Sequence, residues 1–496
     1  MAKAIMVQGT MSNAGKSLVC TGLCRAFKQD GYHVAPFKAQ NMALNSFVTD
    51  EGLEMGRAQA VQAEACGIAP SVRMNPILLK PVTDVGSQVI VNGQVWGNLS
   101  AREYFAVKQS LLPGIIQAYN SLAEEFDIIV LEGAGSPAEI NLKKDDLVNM
   151  GMAKLARAPV LLVGDIDCGG VFAQLYGTVA LLEEEEQKMV KAAIINKFRG
   201  DVSLLEPGLT MLENLTGKPV AGVIPYLSVD IEGEDSLARP LTRKTGGTVL
   251  DIGIIDFPHL SNFTDFAVLE ASPGIGVRYI RRAHELGRPD MIILPGTKNT
   301  ISDLKWLREW GLEAAITELA VRGTIVFGLC GGYQMLGRHI LDREGAEGGG
   351  EIEGMGLLPV HTKFSWEKRL IHTKARVINA EGAFERLTGV ELEGYEIHMG
   401  QTVTEPDAKP FLLMENGRED GCVLGNVYGT YLHGFFDAKA CREAVFPALA
   451  CRKGAALETE VFDFKDYKER QYDLLAQSIR ESLDMKLIYR ILEEGL

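Results

Sequence analysis

Ile5-Met6-Val7-Gln8-Gly9-Thr10-Met11-Ser12-Asn13-Ala14-Gly15-Lys16-Ser17 is an apolar run that gives way to small residues just before a stretch of helical periodicity, Lys16–Gln29. Strand, tight loop and helix, in that order, turn several backbone N–H groups inward at a helix N-terminus, which is what a phosphate needs. Small side chains let the chain curl that tightly. Lys16 then supplies a point positive charge near the terminal phosphates, and the Ser17 hydroxyl can ligate Mg²⁺. Gly9, Thr10, Asn13, Ala14, Gly15, Lys16 and Ser17 are therefore the expected nucleotide-binding residues, with ATP or GTP as the ligand. The usual pattern has glycine at position 10, where this chain has threonine, and the glycine stands at 9. A chance glycine turn is the plainer reading; the Gly-Lys-Ser ending at the mouth of a helix weighs against it.

Outward from this loop, short β-rich runs alternate with helical stretches. Residues 4–8, 33–37, 126–131, 160–163, 191–195 and 220–224 read as strands, each followed by polar or glycine-rich sequence. That alternation predicts an α/β fold with a mostly parallel sheet covered on both faces. Residues 74–96 are less regular and read as an insertion facing a substrate. A second, different α/β pattern follows, with strands expected at 249–254, 276–280, 291–294, 324–327, 375–378 and 422–427, a surface loop at 342–350 and helix over 467–491. A chain of 496 residues exceeds what one core sustains. The expected division is a P-loop NTPase-type unit at 1–230, a linker at 231–248, a second α/β unit at 249–445 and a helical extension at 446–496.

Magnesium asks for carboxylates as well as a hydroxyl. Glu132 closes the apolar run before Gly133-Ala134-Gly135-Ser136, and so apolar a strand seldom ends in a glutamate that only caps a helix. Asp50, in the loop after the second strand, is a further candidate, and Asp165 and Asp167 follow another strand end. Ligands of parallel sheets collect at the carboxyl ends of the strands. The expected metal set is Ser17, Asp50 and Glu132. Such a loop serves kinases, ligases and partitioning ATPases alike, so it leaves the acceptor open.

The formal charge of −15, without basic blocks, argues against sequence-independent nucleic-acid binding, which needs phosphate neutralisation. No apolar run is long enough to span a bilayer, and the start reads as a first core strand and not as a signal peptide. The eight cysteines are scattered without metal-finger spacing, which predicts a reducing cytoplasm. Most of them, Cys20 and Cys24 included, read as small core residues.

One cysteine differs from the rest. The apolar run 324–327 leads into Gly328-Leu329-Cys330-Gly331-Gly332-Tyr333-Gln334. Glycines on both sides of Cys330 permit a sharp strand-to-helix turn that presents the sulfur and aims backbone N–H groups at a nearby oxyanion. A helix N-terminus and a neighbouring imidazole would both favour the thiolate. His433, in Tyr431-Leu432-His433-Gly434, is the expected base, with His398 in Glu396-Ile397-His398-Met399 as the second choice. Gly331 and Gly296, the latter in Pro295-Gly296-Thr297-Lys298, are expected to form the oxyanion hole. A buried structural thiol is the bland alternative.

Taken together these residues resemble the cobyric acid synthase family over essentially the whole chain. The first unit resembles the dethiobiotin-synthetase type of P-loop domain, in which the first glycine is commonly followed by threonine, as Gly9-Thr10 is here. The second resembles a triad-type, flavodoxin-like glutamine amidotransferase domain, with Cys330 and His433 matching nucleophile and base. Pro36-Phe37-Lys38-Ala39-Gln40-Asn41-Met42-Ala43-Leu44-Asn45-Ser46 is the most specific segment. The resemblance implies an ATP- and Mg²⁺-dependent ligase that draws nitrogen from glutamine and amidates the b, d, e and g carboxylates of adenosylcobyrinic acid a,c-diamide. It implies that Asn196 reads the adenine ring and that Lys38, Gln40 and Asn41 lie at the transferred phosphate or the acceptor. Only the resemblance points to a corrinoid. The commonest amidotransferase triad has a carboxylate two residues past the base, whereas this chain has Phe435; Asp437 or Glu396 are the alternatives, or no third member exists. A homo-oligomer is compatible with the sequence. Two rival readings stay open: cobyrinic acid a,c-diamide synthase or another ATP-dependent carboxylate amidase, and a regulatory or partitioning P-loop ATPase, which would have no use for Cys330.

Overall fold

The first strand, β1 (Lys3–Gly9), is buried from Ala4 onward, as an apolar run without alternation must be. In a computed structural model, which describes residues 2–83, 86–232, 248–457 and 461–496, it lies at the centre of a sheet. The other strands are β2 (Val34–Phe37), β3 (Ile128–Glu132), β4 (Val160–Asp165), β5 (Val190–Phe198) and β6 (Val220–Pro225). All pair in parallel, in the order β6-β5-β4-β1-β3-β2. With neighbours on both sides, β1 delivers Gly9 to the carboxyl edge, the position where such sheets hold ligands.

The chain divides into two compact units. The first comprises Met1–Ala43, Glu54–Glu234 and Lys465–Leu496; the second comprises Leu44–Leu53 and Asp235–Phe464. Two features of this division differ from the expected one. The short segment Leu44–Leu53 leaves the first unit for the second, and the C-terminal helices Phe464–Ser482 and Met485–Glu494 return to the first, while helix Lys439–Arg452 stays with the second. The expected linker falls mostly outside the described residues, from 233 to 247.

The return of the C-terminal helix has a plain cause. Helix Phe464–Ser482 buries Tyr472, Leu475, Ala476 and Ile479, a stripe at helical spacing, and Tyr472, Leu475 and Ile479 belong to the apolar cluster that also holds Leu23 and Phe27 of helix Lys16–Gln29. Gly22 permits the approach, since a Cβ there would collide with Ile479. Arg25 adds hydrogen-bonded ion pairs to Asp473 at 2.8 Å and Glu469 at 2.7 Å.

The expected insertion at 74–96 falls on three antiparallel strands, Ile77–Thr83, Gly86–Val91 and Gln94–Ser100, extended by Gln40–Met42 in parallel. In the second unit, β7 (Leu250–Ile255), β8 (Ile275–Ile280), β9 (Met291–Leu294), β10 (Ile325–Leu329), β11 (Cys422–Leu424) and β12 (Val427–Thr430) form the order β8-β7-β9-β10-β12-β11. All pairs are parallel except β11 with β12. The expected strand at 375–378 is the end of a much longer one, Val360–Val377, paired antiparallel with Glu391–Thr404. This pair carries many charged residues and a register shift between Phe364 and Arg369, so its alternation is masked in the sequence. No described helix is long and apolar enough to cross a membrane.

Candidate functional site

In the first unit the loop after β1 has the geometry of a phosphate cradle. Asn13 and Gly15 both take positive φ, 60° and 96°, which turns successive N–H groups to one side. Glycine is required at 15, because a Cβ would run into the Asn196 side chain. Asn196 braces the loop from below, its Nδ2 donating to the Ala14 carbonyl at 2.9 Å. Lys197 adds a second brace, to the Asn13 carbonyl at 2.7 Å and to Asp165 at 2.6 Å. Burial alone would raise Asp165; the Lys197 ammonium outweighs it and holds the carboxyl below its usual range. Lys16 folds across the loop onto the Met11 and Gly135 carbonyls, at 3.0 and 3.1 Å, and the Thr10 hydroxyl donates to Gln174 at 3.0 Å.

Glu132 organises the rest of this site. It is almost fully buried, and its Oε1 accepts from the Ser17 hydroxyl at 2.7 Å and from the Lys38 ammonium at 2.9 Å. Its Oε2 accepts from Gln62 at 2.5 Å and Gln59 at 3.4 Å. A buried lysine–glutamate pair is costly unless every donor and acceptor is used, so this one is weak evidence for stability and stronger evidence for a site. Asn41 joins through Gln59 at 3.1 Å, and the side-chain Oε1 of Gln40 accepts from the Tyr104 hydroxyl at 2.6 Å. Gln59 and Gln62, three residues apart on helix Arg57–Cys66, were not read from the sequence.

For Mg²⁺ the donor set fits. A hydroxyl and a carboxylate oxygen 2.7 Å apart are hard ligands, and that ion takes one or two carboxylates with substrate phosphates for the remainder. Among the described residues, no group of three or more His, Cys, Asp or Glu gathers for a metal. Asp50 is exposed in the segment Leu44–Leu53, which belongs to the other unit, and is left out of the set proposed below. Asp165 is ion-paired with Lys197 and Asp167 with Arg199, whereas Glu132, though paired with Lys38, is the carboxylate hydrogen-bonded to the Ser17 hydroxyl.

In the second unit β10 ends in the turn that the glycines around Cys330 foretell. Cys330 has φ 50° and ψ −109°, a conformation that a non-glycine residue holds only where the surroundings enforce it. They do. Cys330 N donates to the Thr430 carbonyl and Gly332 N to the Pro295 carbonyl, both at 3.0 Å, and a Cβ on Gly332 would collide with Leu294. The sulfur is partly exposed and donates to the Ile397 carbonyl at 3.5 Å. Gly331 opens the helix Gly331–Leu336, whose first N–H groups have no intrahelical acceptor. Gly296 lies against the base, since a Cβ built there would stand 3.5 Å from His433 Cε1.

His433 is 1% exposed, and its Nδ1–H donates to Asp265 Oδ2 at 2.6 Å. Asp265 is thus the carboxylate that the sequence left open. Asp437 and Glu396 do not fill that role: Glu396 is held by Arg369 and Arg418, and Asp437 is not the residue on Nδ1. Burial by itself would lower His433; the Asp265 charge and hydrogen bond, then Cys330, outweigh it and push it up to about 10. At neutral pH the imidazolium is the favoured form. Nε2 is buried with no partner in good hydrogen-bond geometry, and Cys330 is close enough to be among the groups that raise the ring. His398 behaves oppositely. Burial pushes it down to about 4, its Nδ1–H is taken by the Gly400 carbonyl at 2.7 Å, and its ring stacks on Tyr431. A neutral, tethered imidazole is a poor rival to His433.

The family model described as the CobQ/CobB/MinD/ParA nucleotide binding domain matches residues 5–236, and that of the CobB/CobQ-like glutamine amidotransferase domain matches residues 251–441. The chain is 58% identical to the cobyric acid synthase of Lachnoclostridium phytofermentans, over 100% of both chains. It is 56% identical to that of Ruminiclostridium cellulolyticum, covering 100% of this chain and 98% of the other. The cobyric acid synthase of Salmonella typhimurium is 50% identical over 100% of this chain and 99% of its own.

Proposed function

This chain belongs to the cobyric acid synthase family, and from that premise we propose that it amidates the b, d, e and g carboxylates of adenosylcobyrinic acid a,c-diamide with glutamine nitrogen and ATP. Amidation of a cobyrinic acid by a glutamine amidotransferase ligase is what membership itself establishes; the positions, the intermediate and the residue roles are our reading.

A carboxylate resists ammonia because it is anionic and has a poor leaving group. An acceptor carboxylate oxygen attacks the γ-phosphorus of ATP, ADP leaves, and the acyl phosphate so formed carries a good leaving group. The N–H groups of the loop and Lys16 stabilise the charge on the transferred phosphoryl group. Lys38, beside Glu132, orients the phosphate or the acceptor carboxylate, and Gln40 and Asn41 continue that edge. To Asn196, which also braces the base of the loop, we assign the reading of the adenine ring. Mg²⁺, held by Ser17 and Glu132, would neutralise the β- and γ-phosphates.

At the second site the Cys330 sulfur attacks the side-chain carbonyl carbon of glutamine. The oxygen of the tetrahedral intermediate is received by the Gly331 and Gly296 N–H groups, and His433 gives its Nε2 proton to the departing ammonia. Water then cleaves the thioester and releases glutamate. Ammonia displaces phosphate from the acyl phosphate, and it must do so before it is protonated, because ammonium is no nucleophile.

The alignment of Cys330, His433 and Asp265 carries the glutamine half of this reading. Incubation with glutamine, ATP and a panel of corrinoid acids, read by mass spectrometry, tests the whole. Conversion of four carboxylates of the a,c-diamide to amides is expected; amidation of the a and c positions instead would overturn the acceptor assignment.

A further inference from the structure

Thr297 lies between the two glycines assigned to the oxyanion hole. It follows Gly296 directly in the chain, and it closes on Gly331 in space. A Cβ added at Gly331 would stand 2.6 Å from Thr297 Cγ2 and 3.1 Å from Thr297 N, so only glycine permits the approach. The two branches of the threonine face different neighbours. Cγ2 lies against Gly331, while the hydroxyl donates to the carboxylate of Asp303. A β-branched side chain has few χ1 choices, so a bond that holds Oγ1 also fixes where the methyl group rests.

Asp303 is fully buried, near the start of helix Thr300–Glu309. An acid at a helix N-terminus can serve the helix dipole from the surface. This one is taken out of water, which is costly for a carboxylate unless donors surround it. Its donors come from the two segments that frame Gly296. Oδ2 accepts from the Thr297 hydroxyl and from the His259 N–H at 3.2 Å, and Oδ1 accepts from His259 Nδ1–H at 2.7 Å. Backbone bonds already join these segments. The Ser261 N–H donates to the Gly296 carbonyl and the Lys298 N–H to the His259 carbonyl, both at 3.0 Å, with Leu260 and Thr297 as an isolated antiparallel bridge. Asp303 joins them again, through side chains.

We infer that Asp303 is a positioning residue of glutamine hydrolysis: through Thr297 and His259 it sets the loop that carries Gly296 against Gly331, so that both N–H groups meet the oxygen of the tetrahedral intermediate. This deepens the glutaminase reading of the Cys330 site and rests on it. Asp303 makes its bonds to the loop and not to the thiol. When its charge or its grip on Thr297 is removed, the threonine side chain is free to turn and Gly296 loses register with Gly331. The ground-state amide oxygen carries little charge, so it depends on that register far less than the transition state does.

Two variants of the full chain test this. Asp303→Asn keeps the shape of the side chain and takes away its charge; Thr297→Val keeps both branches and takes away only the hydroxyl. Four quantities are measured: glutamate release in the complete reaction, affinity for the γ-aldehyde analogue of glutamine, the rate at which iodoacetamide alkylates Cys330, and the melting temperature. The aldehyde adds to the thiol as a hemithioacetal, with a new carbon–sulfur bond and the thiol proton on the former carbonyl oxygen, which lies where the oxyanion would. Alkylation displaces iodide at a saturated carbon and creates no such oxygen. Outright removal of an oxyanion donor costs about 10²- to 10³-fold in kcat, and a donor kept but out of register should cost about 10- to 100-fold in Asp303→Asn at unchanged KM. Thr297→Val should lose about 3- to 10-fold, the yield of one hydrogen bond. In both variants aldehyde affinity should fall by a like factor while Cys330 is alkylated at the wild-type rate. A merely structural role would lower the melting temperature and move aldehyde affinity and alkylation together. A folded Asp303→Asn variant with wild-type kcat and aldehyde affinity overturns the inference, as does one whose alkylation falls as far as its aldehyde affinity. Should Asp303→Asn fail to fold, the same outcomes in Thr297→Val decide. A wild type that neither hydrolyses glutamine nor binds the aldehyde refutes the glutaminase reading itself.

Discussion

The phosphate cradle and the thiol elbow meet opposite electrostatic demands. The ligand of the cradle arrives with its negative charge, so the protein supplies N–H groups and cations and keeps one carboxylate, Glu132, surrounded by Ser17, Lys38, Gln59 and Gln62. Glutamine brings no reacting charge. The elbow therefore has to make its own, from a strained Cys330 at the end of an apolar strand and a buried imidazole that Asp265 keeps protonated. Polar residues in the cradle share the work through many contacts. In the elbow the imidazole takes its charge support chiefly from one carboxylate, Asp265, so its deletion should do more damage than one at the edge of the cradle.

The sharpest break between the two sites comes from removing one centre at a time. Cys330→Ala should reduce glutamine-driven corrinoid amidation by at least about 10⁴-fold, as loss of a nucleophile does, while synthesis from concentrated ammonium salt persists. Lys16→Ala should reduce synthesis from both nitrogen sources by about 10²-fold or more, with ammonia release from glutamine retained. Amide formation followed by mass spectrometry, and glutamate release measured in parallel, distinguish the two. A Cys330→Ala enzyme that ammonia cannot rescue, though it folds and binds ATP, would falsify the division of labour.

Asp265→Asn is next in size. The amide keeps the shape but cannot stabilise an imidazolium, and it invites the wrong tautomer; a loss of about 10²- to 10⁴-fold in glutaminase kcat is expected. The sign of the pH effect follows from the upward push on His433. Its proton is retained until pH rises towards about 10, so the alkaline limb of glutaminase activity lies high; without Asp265 the largest upward push is gone, burial weighs more heavily, and that limb moves to lower pH. An alkaline limb that stays in place in the variant would show that another group than His433 governs it.

How far each site was legible follows from how local it is. Gly9–Ser17 and the glycines about Cys330 are short stretches whose spacing alone carries the chemistry, and the structure places both at strand-to-helix turns. Asp265 is 168 residues from His433 and reaches it only because β7 and β12 belong to one sheet. The carboxylates nearer in sequence looked better, and Arg369 and Arg418 explain why Glu396 is not free to serve. One signal was available: an aspartate in Asn262-Phe263-Thr264-Asp265-Phe266 is buried between aromatic residues after a core strand, an expensive place for an unused charge. The strand Val360–Val377 was read only at its end, 375–378, for a different reason. Its middle is charged and half exposed, so the alternation that marks a strand survives only near its ends. Parallel strands fared better, because continuous burial writes continuous apolar runs.

The smallest expected effect lies at the edge of the cradle and tests the shared-work half of the contrast. Gln62 touches neither loop nor thiol; it donates to Glu132 Oε2 at 2.5 Å, while Gln59 offers a longer bond to the same oxygen. Gln62→Leu therefore leaves the charge of Glu132 in place and removes only part of its orientation. Loss of an outer partner of a metal-binding carboxylate typically weakens metal affinity about 10-fold. The Mg²⁺ concentration for half-maximal ammonia-driven synthesis should rise by about that factor, with the rate at saturating Mg²⁺ nearly restored and glutaminase untouched. Titration of Mg²⁺-dependent ATP binding in the absence of acceptor gives the same comparison without turnover. If Gln62→Leu instead lowers the saturated rate as severely as Lys16→Ala, the cradle does not distribute its load, and Glu132 hangs on one contact just as His433 does.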